Sequence, residues 1–409
     1  MNIGVLTHNY PRFPGDFSGT FVEQLCQELV RQGDEVHVIA PYDAAYTPET
    51  LAQRQPRLHL YRYAWSDEAH RLGYMRTMQA DIRMKTNAYL LSPPMLLAGV
   101  HATMRTVAEQ KLDVLHAHWV LPNGFIAALT SKRLHIPLAV SIPGSDALVA
   151  AQNPLFRWMA RFAFRQAGLI TANSRQLRDV AIQELGASPD RFDLIIYGVD
   201  PARLKPDPTG TMALRRRLSI PADAFVVLAV GRMVYKKGFD GLLRALSLLP
   251  ADLPPIHAVF IGDGDLWELW QALGRELGLR NVHWVGRVPN DEMAIWYNMA
   301  DALAMPSVTK PADGLNVCVL DAMACGKPIL ASDCAGNDLA VRDGENGFLF
   351  PEGDVAALAE AIARLARHPQ QARQMGAASR RLIDAALGWP HLARRYRAHF
   401  QRLVAARAR

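Results

Sequence analysis

The alternation of two kinds of segment constrains the fold of this chain most strongly. Short apolar runs rich in β-branched residues recur along it, and longer amphipathic stretches separate them. We predict strands at residues 3–7, 35–40, 113–118, 138–142, 169–172, 194–197, 225–230, 257–261, 282–285, 302–305 and 328–331. Because parallel strands are joined by crossover helices, this order predicts parallel sheets with helices on both faces.

Length and one proline-rich stretch divide the chain. At 409 residues and 45.3 kDa it exceeds what one hydrophobic core usually covers, so two domains are expected. Residues 198–210 interrupt the series of strands and have the composition of a linker. We therefore predict an α/β fold of two Rossmann-like, doubly wound domains, residues 1–203 and 204–388, facing each other across a cleft. In residues 389–409 apolar side chains recur at helical spacing, which predicts a helix that docks back on the first domain.

Composition excludes several classes of protein. Half of the residues are hydrophobic and 21% are charged, unlike a disordered or low-complexity chain. No run of 18 apolar residues occurs and the start lacks a basic leader, so we expect a cytoplasmic protein without a membrane-spanning helix. The four cysteines are too unevenly spaced for a disulfide framework or a zinc knuckle.

Positive charge is concentrated at the end of the chain. Residues 364–409 hold eleven arginines and one aspartate, a balance of +10 against a net charge of +6 for the whole chain. This tail is either a solvated helix face or a patch for an anionic membrane or a phosphorylated acceptor. Nucleic acid is not expected as a partner, because no nucleic-acid-binding module accompanies the charge.

The strongest local signal lies directly after the predicted strand 225–230. Gly231-Arg232 and Lys237-Gly238 stand between that strand and a helix predicted to follow it. Glycine lets the backbone approach a ligand closely, and a helix N-terminus favours anions. Arg232 can grip phosphate oxygens with two parallel hydrogen bonds, and Lys237 adds a point charge. The pattern predicts a diphosphate site, with a solvated turn as the alternative.

An ordered set of motifs over about residues 1–390 resembles retaining glycosyltransferases of family 4, which have the GT-B fold. The matching segments are Ser18-Gly19-Thr20-Phe21, Asp113-Val114-Leu115-His116-Ala117-His118, Tyr197-Gly198-Val199-Asp200, Gly231-Arg232 with Lys237-Gly238, Gly262-Asp263-Gly264, Val285-Gly286-Arg287-Val288, the acid pair Asp313 and Asp321, Gly336-Asn337-Asp338, and Asn346-Gly347-Phe348-Leu349. The resemblance implies hexosyl transfer from a nucleotide-diphosphate sugar with retained anomeric configuration. It implies that the reaction requires neither a metal ion nor a cofactor besides the nucleotide-sugar substrate.

Carried over by position, the resemblance assigns four catalytic residues. Arg232 and Lys237 would neutralise the departing diphosphate, and Asp313 would hold hydroxyls of the donor sugar. His116 and His118 alternate along one strand, and we expect them to face opposite sides. His118, nearer the carboxyl end of the strand, is then the one that points into the cleft, with a satisfied buried histidine as the alternative.

The resemblance also assigns donor-binding residues. Gly19 would let a loop close over the phosphates, Asp321 would hold the ribose hydroxyls, and Arg287 and Val288 would read the base through main-chain groups. The remaining positions would approach the phosphates with their backbone, and they are Gly231, Gly314, Leu315, Asn316 and Val317.

Several positions depart from the family pattern. Both members of the acid pair are aspartates, whereas the second is more usually glutamate in the family, so the side chain of Asp321 has a shorter reach. The alternative to a ribose-binding role for Asp321 is that it caps the helix that follows and faces solvent. Pro143 stands where the family commonly has a histidine near the reacting carbon. The resemblance places Asp146 and Ser145 on the acceptor side. A helix-capping role is an equally good interpretation of Asp146. Asp263 and Asp265 match a metal-binding Asp-x-Asp pattern, but we interpret them as part of a turn.

These observations predict a retaining glycosyltransferase that acts by front-face displacement on a saccharide or lipid-linked hydroxyl. Negative charge builds on the leaving phosphate, so fixed cations and helix dipoles lower the barrier. The alternatives are a GT-B epimerase or phosphorylase and a non-catalytic nucleotide-sugar-binding partner.

Two basic segments predict where the acceptor is met. Residues 157–165 mix arginines with aromatic residues, and residues 54–105 hold eight cations against three acids. Basic amphipathic surfaces lie on anionic bilayers. The hypothesis is a peripheral enzyme on the inner face of the membrane, with a core helix carrying solvated arginines as its alternative.

Overall fold

The structure is a computed structural model, and it describes residues 1–16, 18–74, 78–80, 83–84, 86–144, 146–309 and 314–407. Contacts divide the chain into two compact units. Unit 1 comprises residues 1–196 and 389–409, and unit 2 comprises residues 197–388.

Unit 1 is built on a seven-stranded sheet in which every neighbouring pair is parallel. Its strands are β1 (Asn2–Leu6), β2 (Glu35–Pro41), β3 (Arg57–Tyr61), β6 (Val114–His118), β7 (Leu138–Ile142), β8 (Leu169–Ala172) and β9 (Phe192–Leu194), in the spatial order β3-β2-β1-β6-β7-β8-β9. A separate antiparallel pair is formed by β4 (Met78–Ala80) and β5 (Arg83–Met84).

Helices accompany this sheet through the crossovers between its strands. They are α1 (Thr20–Arg31), α2 (Pro48–Leu51), α3 (Thr86–Gln110), α4 (Phe125–Leu134), α5 (Asp146–Gln152), α6 (Pro154–Gln166), α7 (Arg175–Gln183) and, from the end of the chain, α15 (Trp389–Arg407). Helix α1 shows why these segments are helical: the apolar residues Val22, Leu25, Cys26 and Leu29 recur on one side and are buried.

Unit 2 has a six-stranded parallel sheet. Its strands are β10 (Phe225–Val230), β11 (Ile256–Ile261), β12 (Val282–Gly286), β13 (Ala302–Met305), β14 (Ile329–Ser332) and β15 (Gly347–Phe350), in the order β12-β11-β10-β13-β14-β15. Its helices are α8 (Thr211–Arg217), α9 (Phe239–Ser247), α10 (Trp267–Glu276), α11 (Met293–Met299), α12 (Val317–Ala324), α13 (Val355–Arg367) and α14 (Pro369–Leu382).

Each sheet has one point at which the strand order reverses. In unit 1 this point lies between β1 and β6, where Leu6 pairs with Ala117. In unit 2 it lies between β10 and β13, where Leu228 pairs with Leu303. Open parallel sheets bind ligands outside the carboxyl ends of the strands at such a point. The topology of each unit therefore directs attention to the residues that follow these four strands.

The closing helix α15 completes the core of unit 1. Leu392, Tyr396 and Phe400 lie on one side of it and are buried. The Tyr396 ring lies 5.1 Å from that of His116 on β6, measured between centroids. A hypothetical Cβ at Gly168 would lie 2.5 Å from Leu403, so the helix packs directly on the chain before β8. The apolar stripe predicted in this segment thus faces protein.

Arginines of the basic tail pair with acids elsewhere in the chain. In unit 1, Arg395 and His399 both bind the carboxylate of Asp193, and Arg397 binds that of Asp34 at 2.9 Å. In unit 2 the arginines that form such contacts are Arg367, with Asp252, and Arg380, with Asp384 and three main-chain carbonyl oxygens. Part of the tail's charge is therefore used within each unit.

The predicted α/β fold with two Rossmann-like sheets is confirmed. Most predicted strands agree with the structure to within a residue at each end, β3, β4, β5 and β15 were not predicted, and one predicted strand is misplaced. The strand predicted at 194–197 is β9, which runs from Phe192 to Leu194. Asp193 broke the apolar pattern there, because it lies on an edge strand and binds α15 rather than the core. Among the described residues, no helix is long and apolar enough to cross a membrane.

Candidate functional site

The turn after β10 brings a lysine to the carboxyl end of the second sheet. Tyr235–Lys237 form one turn of 3-10 helix, and Gly238 then begins α9 with a φ of +63°. A Cβ at Gly238 would lie 1.9 Å from the carbonyl oxygen of Pro306, so only glycine fits this approach. Pro306 directly follows β13. The turn is therefore fixed at the point where the strand order reverses.

Lys237 is held by the segment that leads into α12. The buried lysine donates from Nζ to Oδ1 of Asn316, whose Nδ2 donates to Oγ of Ser307 at 3.2 Å. Asn316 directly precedes α12, and Sγ of Cys318 in the first turn of that helix donates to the carbonyl oxygen of Val230 at 3.3 Å. The ammonium group thus lies beside a helix N-terminus, where the first N–H groups have no intrahelical partner. Both features attract an anion.

The neighbouring predicted donor residues cluster on the same turns. The main-chain N–H of Met233 donates to the carbonyl oxygen of Asp263 at 2.7 Å. This hydrogen bond joins the turn after β10 to the Gly262-Asp263-Gly264 turn. Arg287 donates from Nε to the Asp263 carboxylate at 2.6 Å, and both side chains are substantially exposed. Arg232 is exposed on the first turn.

Backbone positions predicted to approach the phosphates lie at one end of α12. Gly314 and the buried Leu315 precede Asn316, and Val317 is the first residue of the helix. Val288 follows β12 and is half-buried. Asp313, predicted to hold the donor sugar, lies outside the described residues.

Asp321 lies within α12, one turn beyond its start. Its Oδ2 accepts a hydrogen bond from the Tyr297 hydroxyl at 3.3 Å. Burial raises the pKa of Asp321 to about 7, and the positive charge of Arg203 only partly offsets this effect. The residue is neither at the helix cap nor fully in water, so the capping alternative is wrong. A carboxyl group with a pKa near neutrality can donate a hydrogen bond to a hydroxyl group when protonated and accept hydrogen bonds when ionised.

On unit 1, Gly19 shapes the loop between β1 and α1. It has a φ of +67° and directly precedes α1. A Cβ there would lie 2.1 Å from the carbonyl oxygen of Asn9, a position that Thr7 also fixes with a 2.7 Å hydrogen bond from Oγ1. Glycine is therefore required at this position so that the start of α1 can pack against the chain that follows β1.

His116 and His118 lie on the same face of β6, so the expectation that they face opposite sides is wrong. Their ring centroids are 4.3 Å apart, because residues two apart in a strand point the same way. His116 shares a hydrogen bond with Oγ of Ser141 at 2.7 Å. Neither ring nitrogen of His118 has a hydrogen-bond partner among the described residues. Burial lowers the pKa of both imidazoles, to about 3 for His116 and well below the usual range for His118, which is therefore neutral.

Asp146 begins α5, just beyond the carboxyl end of β7. Its Oδ2 accepts the Val120 N–H at 2.6 Å. Its other oxygen is buried and has no partner within the described part of the chain. Burial raises the pKa of Asp146 to about 7. Ser145 lies outside the described residues.

Sequence reasoning missed two further polar side chains at this edge of unit 1. Asn173 and Gln176 follow β8, and each has a buried side-chain oxygen without a partner in the residues that the structure describes. Nδ2 of Asn173 donates to the carbonyl oxygen of Pro143 at 3.1 Å. Pro143, which cannot offer a side-chain hydrogen bond, thus contributes its main chain. The available signal in the sequence was that Asn173 and Gln176 closely follow the predicted strand 169–172. Buried polar groups are normally hydrogen-bonded, so these oxygens leave hydrogen-bonding capacity for water or a polar ligand.

Over the described residues, no group of three or more His, Cys, Asp or Glu side chains is arranged to hold a metal ion.

The two halves of the chain match profiles of known families. The profile of the glycosyl transferase 4-like domain matches residues 18–198, and that of glycosyl transferases group 1 matches residues 211–382. Together with the two parallel sheets, these matches show that the chain is a GT-B glycosyltransferase. The chain belongs to the GT4 type of that class.

Curated relatives agree with this assignment. A GDP-mannose-dependent alpha-(1-6)-phosphatidylinositol monomannoside mannosyltransferase of Mycolicibacterium smegmatis is 33% identical over 353 residues, which are 84% of this chain and 89% of that protein. A D-inositol 3-phosphate glycosyltransferase of Streptomyces scabiei is 29% identical over 318 residues, 73% of this chain and 70% of that protein. The predicted nucleotide-sugar-dependent hexosyltransferase is confirmed.

Solved structures share the fold. The crystal structure of Anabaena Alr3699/HepE in complex with UDP has a TM-score of 0.75 and 21% identity, over 98% of this chain and all of that one. The lipopolysaccharide biosynthesis glycosyltransferase WaaG has a TM-score of 0.65 and 16% identity, over 96% of this chain and 98% of that one.

Proposed function

We propose that this enzyme transfers a hexose, with retained anomeric configuration, from a nucleotide-diphosphate sugar to a hydroxyl of a saccharide or lipid-linked acceptor. The observation that carries the proposal is the buried ammonium of Lys237, which Asn316 fixes beside the N-terminus of α12. A helix N-terminus favours a bound anion, and a lysine beside it adds positive charge at the same place. A diphosphate is the anion that a glycosyltransferase must stabilise as it leaves.

The step we propose is a front-face displacement. The bond between the anomeric carbon and the β-phosphate oxygen breaks, and a bond to the acceptor oxygen forms on the same face. The acceptor proton passes to the departing phosphate oxygen, so no separate base is needed. Lys237, Arg232 and α12 supply the stabilising charge, and the scheme requires no metal ion. A covalent sugar adduct on Asp146 or Asp313, trapped and identified by mass spectrometry, would overturn it.

The acceptor side is proposed to lie in unit 1, around His118 and Asp146. Both are buried, both are neutral below about pH 7, and each has a polar atom without a partner among the described residues. Such groups suit an uncharged hydroxyl-rich ligand, because hydroxyls both donate and accept. We place the enzyme on the cytoplasmic side of a membrane, where a lipid-linked acceptor is reached from water.

A donor screen tests this function directly. UDP-, GDP-, ADP- and dTDP-sugars are titrated against the wild-type protein and against Lys237→Ala, and both binding and transfer to a generic saccharide acceptor are measured. We expect one nucleotide class to bind and react, and the variant to lose transfer with its fold intact. Equal turnover by both proteins would refute the site.

Pro143 favours one second candidate. With no histidine side chain at that position, the chain could bind a nucleotide sugar without transferring it. Donor binding without hydrolysis, isomerisation or transfer over the whole screen would support this candidate.

A further inference from the structure

Trp119, directly after β6, has a strained backbone. Its φ is +69° and its ψ is 129°, which lies outside even the small left-handed helical region. A positive φ favours glycine, and a bulky residue keeps one only where the surrounding structure enforces it. Here the Trp119 N–H donates to the carbonyl oxygen of Ser141 at 2.9 Å, and its carbonyl oxygen accepts the Gly124 N–H at 3.0 Å. Because the chain holds a large ring in a conformation that suits glycine, we looked for a use of that ring.

The indole of Trp119 belongs to a group of three half-buried rings, which we call the aromatic wall: His8, Phe21 and Trp119. The Trp119 ring centroid lies 4.5 Å from that of His8 and 5.6 Å from that of Phe21. His8 closely follows β1, and Phe21 lies in the first turn of α1. The wall therefore stands where the strand order of the first sheet reverses. The buried ring of His118 lies 6.2 Å from Phe21 and 6.4 Å from Trp119, so the wall is the partly open side of the same cluster.

Hydrogen bonds of Asn123 fix which nitrogen of His8 carries a proton. Nδ2 of Asn123 lies 2.7 Å from the carbonyl oxygen of His118, which can only accept, and 2.9 Å from Nδ1 of His8. The amide group therefore donates to both atoms, and Nδ1 of His8 is an acceptor. Desolvation lowers the pKa of His8 to about 4, so at neutral pH its ring holds one proton, on Nε2. The wall thus combines aromatic faces with an uncharged N–H donor.

Positive charge is scarce around the wall. The segments that carry it, residues 7–16, 18–24 and 114–124, contain Arg12 as their single arginine or lysine. Nε of Arg12 binds the carboxylate of Asp16 at 2.7 Å, and its Nη1 lies 3.4 Å from that of Asp43. The one cation of these segments is therefore balanced by two carboxylates. The wall suits an uncharged ligand better than a phosphorylated one.

We infer that the aromatic wall stacks on one face of an uncharged pyranose ring of the acceptor, and that Nε2 of His8 donates to one of its hydroxyl oxygens. The C–H groups on one face of a pyranose form an apolar, weakly positive patch, whereas the face of an indole ring is negative. The hydroxyl groups at the edge of the sugar ring both donate and accept hydrogen bonds. The inference rests on the proposed function and narrows it, because it favours a neutral saccharide over an inositol phosphate or a phosphorylated sugar as the acceptor.

A fluorine label tests this contact without removing the ring. The full chain is prepared with fluorotryptophan, and Trp119→Phe and Trp65→Phe identify two signals among those of the eight tryptophans. Methyl pyranosides of glucose, galactose and mannose are titrated, and an inositol phosphate and uridine serve as comparison ligands. We expect at least one pyranoside to shift the Trp119 signal and to leave that of the fully exposed Trp65 unchanged. This measurement does not depend on whether a drastic substitution of Trp119 folds.

Substitutions then measure how much each ring contributes. Trp119→Phe keeps an aromatic face, Trp119→Leu removes it, and Trp65→Leu is the control. We expect the Kd for the pyranoside to rise about tenfold in Trp119→Leu, less than about threefold in Trp119→Phe, and not in the control. His8→Phe keeps a ring but loses the donor, and should raise this Kd about threefold to tenfold. Nucleotide affinity should stay the same in all four variants, and the acceptor KM should rise in Trp119→Leu.

Four results would overturn the inference. They are a Trp119 signal that no pyranoside shifts, a shift by uridine alone, tighter binding of the inositol phosphate than of every pyranoside, and equal losses in Trp119→Phe and Trp119→Leu, which would make the indole a packing group. The proposed function fails separately. If no nucleotide sugar reacts although pyranosides bind at Trp119, the saccharide site stands without the transferase. If transfer occurs and Trp119→Leu keeps the wild-type acceptor KM, the transferase stands without the wall.

Discussion

The polar groups at the carboxyl ends of the two sheets differ in how many of their hydrogen-bonding atoms have partners. In unit 2 the charged Lys237 is held by Asn316, which is itself held by Ser307. In unit 1 the buried groups at the equivalent edge are uncharged at moderate pH, and several of their atoms, including both ring nitrogens of His118, have no partner among the described residues. The sheet end of unit 2, where we propose the donor site, is thus arranged for an anion before a ligand binds. The sheet end of unit 1, where we propose the acceptor site, keeps hydrogen-bonding capacity that a ligand or water can fill.

The largest expected effect comes from the donor end. Lys237→Ala should lower kcat/KM for transfer by about 10²–10³-fold, because a preorganised charge at the leaving group is lost. Steady-state kinetics measure the loss, and Lys205→Ala, an exposed lysine of unit 2, is the control. A loss of less than fivefold would show that the two ends do not differ in the way described.

His118→Asn should affect transfer more than donor binding. We expect kcat/KM to fall about 10–100-fold, with the nucleotide Kd changed less than twofold, because the group lies on unit 1. His116→Asn is the contrast, since it breaks the 2.7 Å hydrogen bond with Ser141 and should lower the melting temperature instead. If both variants only lost stability, His118 would be a core residue.

Asp146→Asn should change how stability depends on pH. The native pKa of Asp146 is about 7, against 3.8 for an ordinary aspartate, so the native state binds its proton more tightly than the unfolded state. The contribution of protonated Asp146 to the free energy of unfolding is therefore fully present below pH 3.8, and it is lost as the pH rises from there through 7. The asparagine variant should recover about 1–3 kcal/mol of unfolding free energy at pH 8, and less at pH 5, by urea denaturation. The same recovery at both pH values would contradict a buried carboxyl group.

Asp321 provides the matching test in unit 2. An ionised carboxylate accepts hydrogen bonds from the ribose hydroxyls, as proposed for Asp321, more strongly than a protonated one, and burial raises the pKa of Asp321 to about 7. Donor Kd should therefore fall up to about tenfold between pH 6 and pH 8, as the ionised fraction grows. Calorimetric titration at several pH values measures it, and Asp321→Asn should bind more weakly with a flat profile. A flat wild-type profile would remove Asp321 from the donor site.

The smallest effect is expected from the exposed pair of Arg287 and Asp263. Exposed ion pairs contribute about 0–1 kcal/mol, and the proposed base contact uses main-chain groups. Arg287→Ala should change donor Kd by less than about threefold and unfolding free energy by less than about 1 kcal/mol. A tenfold loss of affinity for one nucleotide only would show instead that the Arg287 side chain reads the base.

The sequence by itself determined the class of fold. Apolar runs and amphipathic stretches are local patterns, so they predicted most strands correctly, and Lys237-Gly238 could be singled out because glycine lets the backbone approach another group closely. Motif order along the chain indicated the family before any contact was known.

Only the tertiary structure decided how the named side chains are partnered. Lys237 and Asn316 are far apart in sequence, and the reversal of strand order between β10 and β13 brings them together. The pKa values of Asp146 and Asp321 depend on burial, which no spacing reveals. Exposure and desolvation are properties of the assembled neighbourhood, and a linear pattern does not contain them.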